Sequence, residues 1–371
     1  MIPGAMHWSQ RPARRAFLAA ASVPVTALLA ACGRSTGDES VCTPVDSSSP
    51  PSEQDDMTDT APSEHRRLSP RGLGQSPDGA LLAAAESADR RLLGRSSSWG
   101  TILWNTSDGS IERRFGNGLT DAIAWHPGGE LLALGGGGVI EITDLSGRPM
   151  TRLTGHGRRN GEPGRILDLS FTVDGSRLAS LGSDGTVRLW DTAAGACSPG
   201  PVLDVRRLSP TRLSFDPGSG HLVIVGPKRA PERWDVSTGR RTDRFTDIKG
   251  QPYGVTHAED GTLVVGTAEP PRLQSVGPSA FTDAPEPPAQ RPIHLAIAPD
   301  GRIAVGGEHD NQVMVWDPRG GERVDLPRVA GSVEQLTWSP DGGVLYGVSP
   351  SDGVVGWDGE QWNALELPPE Q

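Results

Sequence analysis

Apolar runs of four to seven residues, rich in Val, Leu, Ile, Trp and Thr, recur along the chain between polar breaks of Gly, Pro, Asp and Ser. Three stretches share one layout: an apolar run, an Asp-Gly turn, two further apolar runs, and a Trp-Asp pair. They extend from Asp174 to Asp191, from Asp300 to Asp317 and from Asp341 to Asp358, each a step of seventeen residues. In the copy closest to the pattern the two inner runs are Leu178-Ala179-Ser180-Leu181 and Val187-Arg188-Leu189-Trp190. Short apolar runs bounded by turn residues predict strands, and no long segment of 3.6-residue period follows residue 31, so helices are not predicted in the body.

Looser copies fill the remainder. Ser76-Pro77-Asp78-Gly79 leads to Trp104-Asn105, and His126-Pro127-Gly128-Gly129 leads to Thr143-Asp144. Asp216-Pro217-Gly218-Ser219-Gly220 leads to Trp234-Asp235, and Asp260-Gly261 leads to Val276-Gly277. The turn markers fall at 78, 128, 174, 219, 260, 300 and 341, spaced by 50, 46, 45, 41, 40 and 41 residues. That period fits four short strands with their turns. A single four-stranded sheet cannot bury both its faces, whereas seven packed radially bury one another. The predicted fold is therefore all-β, a seven-bladed β-propeller with four antiparallel strands per blade, over residues 68–371.

These repeats resemble those of the WD-repeat family, whose blades carry Gly-His before the first strand and Trp-Asp at the end of the third. The resemblance covers residues 68–371 and is strongest in blades 3, 6 and 7. It implies a hydrogen-bonded relay in blade 3, with His156 after Gly155, Ser180 on the second strand, Asp184 in the next turn and Trp190 on the third strand. By the same resemblance the relay is a structural staple with a buried hydroxyl. A Ser-His-Asp set also invites a catalytic reading, but a triad is defined by geometry and roles, not by residue types. Blade 6 retains Asp310 and Trp316 and has Gly306 in place of the Ser. Gly33-Arg34-Ser35-Thr36-Gly37 fits G-x-S-x-G without the strand-turn-helix context that exposes a nucleophile, so it carries no such assignment.

The first 31 residues hold Arg11, Arg14 and Arg15, no acid, and the apolar run Ala16 to Ala31 broken by Pro24. This run is too short to span a bilayer comfortably and ends in small residues, the pattern of a cleaved export signal. Leu29-Ala30-Ala31-Cys32 resembles the lipobox of bacterial lipoproteins, which implies lipidation of Cys32 and cleavage before it. An uncleaved anchor or a plain secretory signal remains the alternative. Arg14-Arg15-Ala16-Phe17-Leu18 resembles a twin-arginine signal, which implies export of an already folded protein. Residues 32–67, with Asp46-Ser47-Ser48-Ser49-Pro50-Pro51 followed by Glu53, Asp55 and Asp56, are predicted to be a disordered acidic tether.

The chain has 35 basic and 46 acidic residues, a net charge of −11. Without Arg11, Arg14 and Arg15 the balance becomes 32 against 46, or −14, which argues against general nucleic-acid binding. Of the three cysteines, Cys42 and Cys197 are predicted to be free or sporadically paired thiols. No metal-ligand or cofactor motif is found, and none is predicted.

Two functions of different class stand. One is a non-enzymatic scaffold, lipid-anchored on the extracytoplasmic side of a bacterial membrane, for an envelope protein or an acidic wall polymer. The other is a propeller enzyme, lactonase-like or hydrolase-like, at the central channel, where Asp168, Glu334, His257 and His294 are the candidates. A sensor of small sugars or peptides would share the scaffold's signature. For the scaffold, the resemblance places loops between second and third strands, and loops between blades, on one face. They carry Arg90, Arg91, Arg95 and Trp99 in the insertion 86–100, then Arg158, Arg159 and Arg165, then Arg206, Arg207, Lys228 and Arg229. Glu308, Asp310 and Asp352 face the same way on blades 6 and 7. A basic sector on so acidic a chain is a candidate dock for an acidic partner.

Overall fold

The computed structural model describes residues 40–45, 66–88, 100–115, 120–157, 164–192, 198–307, 311–329, 333, 335–349 and 353–365, apart from the side chains of 66–71 and 86–88. Its strands form seven antiparallel sheets in chain order, and the seven-bladed propeller read from the repeats is the fold. The innermost strands are Arg66–Gln75, Ala122–Trp125, Ile166–Phe171, Arg212–Phe215, Gln251–His257, Pro292–Ile297 and Gln335–Trp338. Each lies beside the next, and the last lies beside the first.

The turn markers owe their recurrence to local chemistry. In blade 3 the Asp174 carboxylate accepts from the Thr172 hydroxyl (2.6 Å) and the Ser176 amide (3.0 Å), and Gly175 takes the left-handed φ of +70° that closes the turn. Asp78 and Asp341 do the same with Ser76 and Ser339. The Asp of the Trp-Asp pair caps the following turn, as Asp235 does on the Ser237 amide at 2.8 Å.

Burial explains why the middle strands read as continuous apolar runs. Leu263–Ala268, Leu345–Ser349 and Gly353–Trp357 are buried at every position because a neighbouring blade covers each face. Seven apolar clusters fill the seven seams. Leu181, Val187, Leu222 and Trp234 lie between blades 3 and 4, for instance, and Ile140, Leu153, Leu178 and Trp190 between blades 2 and 3. Fully burying one such side chain stabilises by about 1.5–3 kcal/mol. Among the described residues the ring closes without strand exchange. Leu73, Ile102 and Trp104 of blade 1 pack on Tyr346, Val348 and Val354 of blade 7, and the Gln335 side chain donates to the Leu73 carbonyl at 3.3 Å.

Three features depart from the sequence reading. Blade 5 has three strands, because its outer position is taken by the segment holding Pro285, Pro287 and Pro288, which have no N–H for a ladder. Its Phe281 meets Trp316 of blade 6 edge-to-face, with centroids 4.7 Å apart. Part of the predicted tether is ordered: Val41–Pro44 is a fifth strand on blade 2, pairing with Pro149–Thr154. The expectation that Cys42 is free or only sporadically paired is likewise corrected, for Cys42 is buried in the seam between blades 2 and 3 and is disulfide-bonded. Its partner lies outside the described residues.

Candidate functional site

Blade 3 supplies the relay from Arg177–Gly182, the tight turn after it, and Thr186–Asp191. The indole N–H of Trp190 donates to Ser180 Oγ (2.9 Å), and Ser180 Oγ lies 2.8 Å from His156 Nε2. His156 Nδ1 lies 3.2 Å from Asp184 Oδ2. The tautomer with its proton on Nδ1, assigned from this network, satisfies every group: Trp190 donates to Ser180, Ser180 to His156, and His156 to Asp184. Asp184 also accepts from the Gly157 amide (2.8 Å) and the Thr186 amide (2.9 Å). Burial opposes ionisation of Asp184, yet the hydrogen bond from His156 and the two amides outweigh it and hold the carboxyl well below the usual carboxylate range. Gly182 is required here, since a Cβ would sit 2.2 Å from His156 Nδ1.

The order of contacts from Ser to His to Asp is that of a catalytic triad, but Ser180 is fully buried and its oxygen already accepts from Trp190. The Ser180 hydroxyl is sealed from solvent and spent on bonds within the relay, unlike the exposed nucleophile a triad requires. The relay's far end is different: Asp184 and Thr186 border an open hollow of about 590 Å³ at the end of blades 3 and 4, lined also by Arg188, Arg206 and Lys228.

Around that hollow the structure sorts the predicted cations. Arg165 bridges blades, with Nη2 3.0 Å from Asp121. Arg206 pairs with Asp204 at 2.7 Å, and Arg207 with Glu232 at 2.8 Å while lying over the Trp234 ring. Lys228 and Arg229 are exposed and make no ion pair among the described residues. Three of the five described cations are thus neutralised internally. Arg90, Arg91, Arg95, Trp99, Arg158 and Arg159 lie outside the described residues, as do Glu308, Asp310 and Asp352. So do Cys32 and the signal residues Arg14, Arg15, Leu29, Ala30 and Ala31.

Sequence reasoning missed the strongest charge cluster. Glu232, with no exposed surface, receives Arg207, Arg241 (2.9 Å) and Arg244 (3.0 Å). Burial opposes its charge, but the three guanidiniums hold the carboxyl below its ordinary value. The hairpin around Ser237-Thr238-Gly239 was the available signal, because its register sets Glu232 opposite Arg244.

Of the channel candidates, Asp168, His257 and His294 are described. Asp168 accepts from the Leu213 and Leu169 amides (2.9 and 3.0 Å); burial pushes its carboxyl up, and Arg212 and those amides offset part of that. Arg212 reaches His294 Nδ1 at 3.4 Å. His257 Nδ1 lies 2.9 Å from Ser214 Oγ, and burial lowers its pKa to about 4. Glu334 lies outside the described residues. No group of three metal-ligating side chains occurs among the described residues.

Residues 147–191, the end of blade 2 and most of blade 3, match the model of the WD domain, G-beta repeat. The WD repeat-containing protein slp1 of Schizosaccharomyces pombe is 22% identical over 274 residues, covering 61% of this chain and 56% of that protein. The WD repeat-containing protein RUP1 of Arabidopsis thaliana is 26% identical over 217 residues, covering 55% of this chain and 54% of that protein. The alignments thus span about half the length of these relatives. Among solved structures, the Kuenenia stuttgartiensis hydrazine synthase chain superposes with a TM-score of 0.62 at 14% identity, covering 81% of this chain and 97% of that one, a likeness of fold alone.

Proposed function

For this propeller of WD-type repeats, we propose the role of a non-enzymatic binding scaffold, exported and held by a lipid on Cys32 at the extracytoplasmic side of a bacterial membrane. The observation that carries the reading is the contrast within blade 3. The relay's Ser-His-Asp set is sealed, whereas the hollow beyond it is open and edged by Lys228, exposed and without an ion pair among the described residues. WD-repeat propellers typically serve as interaction scaffolds, which supports the same reading, although fold alone assigns no partner. The partner is an envelope protein or an acidic wall polymer, not nucleic acid, given the net charge of −11.

The disulfide at Cys42 supports export, because such bonds persist in oxidising compartments. The ordered strand Val41–Pro44 also shortens the tether. From Cys32 to Ser40 the chain can reach at most about 28 Å fully extended, so the propeller is held close to the anchor. Arg90, Arg91, Arg95, Trp99, Arg158, Arg159 and Arg165 belong to the same proposed face as Arg206, Arg207, Lys228 and Arg229.

The test has two arms. Cys32→Ala moves the protein from the membrane fraction to the soluble extracytoplasmic fraction, and replacing Arg14 and Arg15 with Lys blocks export of the folded chain. Intact residue 1 on most mature molecules overturns the anchor. Capture of a partner from membranes with the anchored protein as bait weakens when Lys228 and Arg229 are both changed to Glu. Undiminished capture at low salt removes this face.

A further inference from the structure

The outer edges of the blades differ in how they are closed. Blade 2 is covered by Val41–Pro44, paired from Val41↔Thr154 to Pro44↔Thr151. Blade 3 ends in Ser198–Asp204, where Pro199 and Pro201 have no N–H to offer. Blade 5 lacks a fourth strand, and blades 6 and 7 end in three-residue strands. Covers, prolines and short strands are among the means by which sheets avoid adding a further strand, and edge charges and bulges are others. Ile111–Phe115 of blade 1 and Arg240–Arg244 of blade 4 rely on charge and a bulge alone: both are five residues long, free of proline and uncovered among the described residues.

Charge separates the two. Residues 205–249, which contain blade 4, hold ten basic and five acidic side chains, a net +5, while the rest of the chain holds 25 and 41, a net −16. Arg240 is exposed and makes no ion pair among the described residues. Arg241 and Arg244 both reach Glu232 despite their three-residue spacing because the ladder bulges between Arg233 and Trp234. With Arg207 they place three guanidiniums on one carboxylate, which leaves the cluster two positive charges in excess. The Arg244 amide donates to the carboxylate of its own neighbour Asp243 at 2.7 Å, a bond that an incoming strand would replace. Blade 1's edge sets Glu112 beside Arg113 and Arg114 and follows Asp108.

We propose that Arg240–Arg244 is a docking edge for an extended acidic polypeptide segment of a partner protein, which adds to blade 4 as a fifth strand in the way Val41–Pro44 adds to blade 2. The inference deepens the scaffold reading and rests on it, since it names where, and in what conformation, a partner is held. Backbone hydrogen bonds along the edge supply the common part of the affinity, and acidic side chains facing Arg240 and the surplus guanidiniums supply the selectivity.

The test uses the full chain and a fluorescent octapeptide of alternating Glu and Val, with binding followed by anisotropy at low and high salt. The expected result is saturable binding that falls at least tenfold with Arg240→Glu and at least tenfold when alternate peptide amides are N-methylated. An unchanged melting temperature shows that Arg240→Glu leaves the fold intact. Equal binding of the N-methylated peptide, or of a polyacrylate of the same charge, overturns strand addition and leaves a plain cationic patch. No binding by the wild-type chain overturns the proposal altogether. The scaffold reading fails separately: it falls if partner capture ignores Lys228→Glu and Arg229→Glu, and it stands if those changes abolish capture while Arg240→Glu does not.

Discussion

Blades 3 and 4 align strand for strand, and in both a charged side chain is buried two residues before the third-strand tryptophan: Arg188 before Trp190, Glu232 before Trp234. In blade 3 the Arg188 guanidinium reaches Ser40 of the N-terminal segment, and Trp190 donates to the relay through Ser180. In blade 4 the register position of Ser180 is held by Ile224, and the Trp234 indole N–H has no hydrogen-bond partner among the described residues. Blade 4 instead sets three arginines on Glu232 and lays Arg207 over the Trp234 ring, 5.6 Å from its centroid. What the fold demands of both blades is a large ring filling the seam towards the preceding blade. How the polar remainder is satisfied is left to each sequence, by a neutral relay in one case and an ionic cluster in the other.

The largest expected effect breaks the ionic side of that comparison. Glu232→Gln leaves three guanidiniums around a neutral amide and should lower stability by about 3 kcal/mol, the low end for breaking a buried ion pair because the arginines remain partly in water. Urea denaturation measures it; a loss below about 0.5 kcal/mol would mean that the cluster behaves as a surface salt bridge.

On the neutral side, Asp184→Ala removes the acceptor of His156 and of two amides, and should cost about 2 kcal/mol. If this variant instead abolished an activity at an unchanged melting temperature, the relay would be catalytic and not structural.

Acid separates the two blades by order of failure. His257 packs on Ser214 of blade 4, and burial lowers its pKa from 6.5 to about 4. Between those values the unfolded chain binds the proton and the folded chain does not, so stability falls as pH drops from 6.5 to about 4. Asp184 has a depressed carboxyl, so its contribution is complete above 3.8 and is lost only as pH falls further. Hydrogen exchange should therefore show blades 4 and 5 losing protection before blade 3, and His257→Gln should flatten the slope between pH 6.5 and 4. Simultaneous loss in all blades would contradict this order.

The smallest effect concerns the exposed pair. Changing Lys228 and Arg229 to Glu should alter stability by no more than about 0.5 kcal/mol, as surface changes without partners do. A larger loss by thermal unfolding would reveal a structural role for these side chains.

The relay was legible through the resemblance to WD repeats, which implied the roles of His156, Ser180, Asp184 and Trp190 once the repeat was found. The cation assignments were less so. Arg165 and Arg207 find their acids 44 and 25 residues away, at Asp121 and Glu232, and nothing in the local pattern names those partners. Blade 5 was half legible: its turn spacing survives, while Pro285, Pro287 and Pro288 mark the place where a fourth strand cannot form.

The sequence by itself determined the number of blades, the three inner strands of each and the turns between them. These are set by interactions two to five residues apart, such as Asp174 with Thr172 and Ser176, and every blade repeats them independently. The tertiary structure alone decided how the ring closes, through Leu73, Ile102 and Trp104 against Tyr346, Val348 and Val354. It alone placed Val41–Pro44 on blade 2 and Cys42 in a seam, and it alone gathered three arginines on Glu232. Each of these depends on segments far apart in the chain whose individual patterns fit several destinations. Seam packing and edge pairing choose among them only once the neighbouring blades are in place.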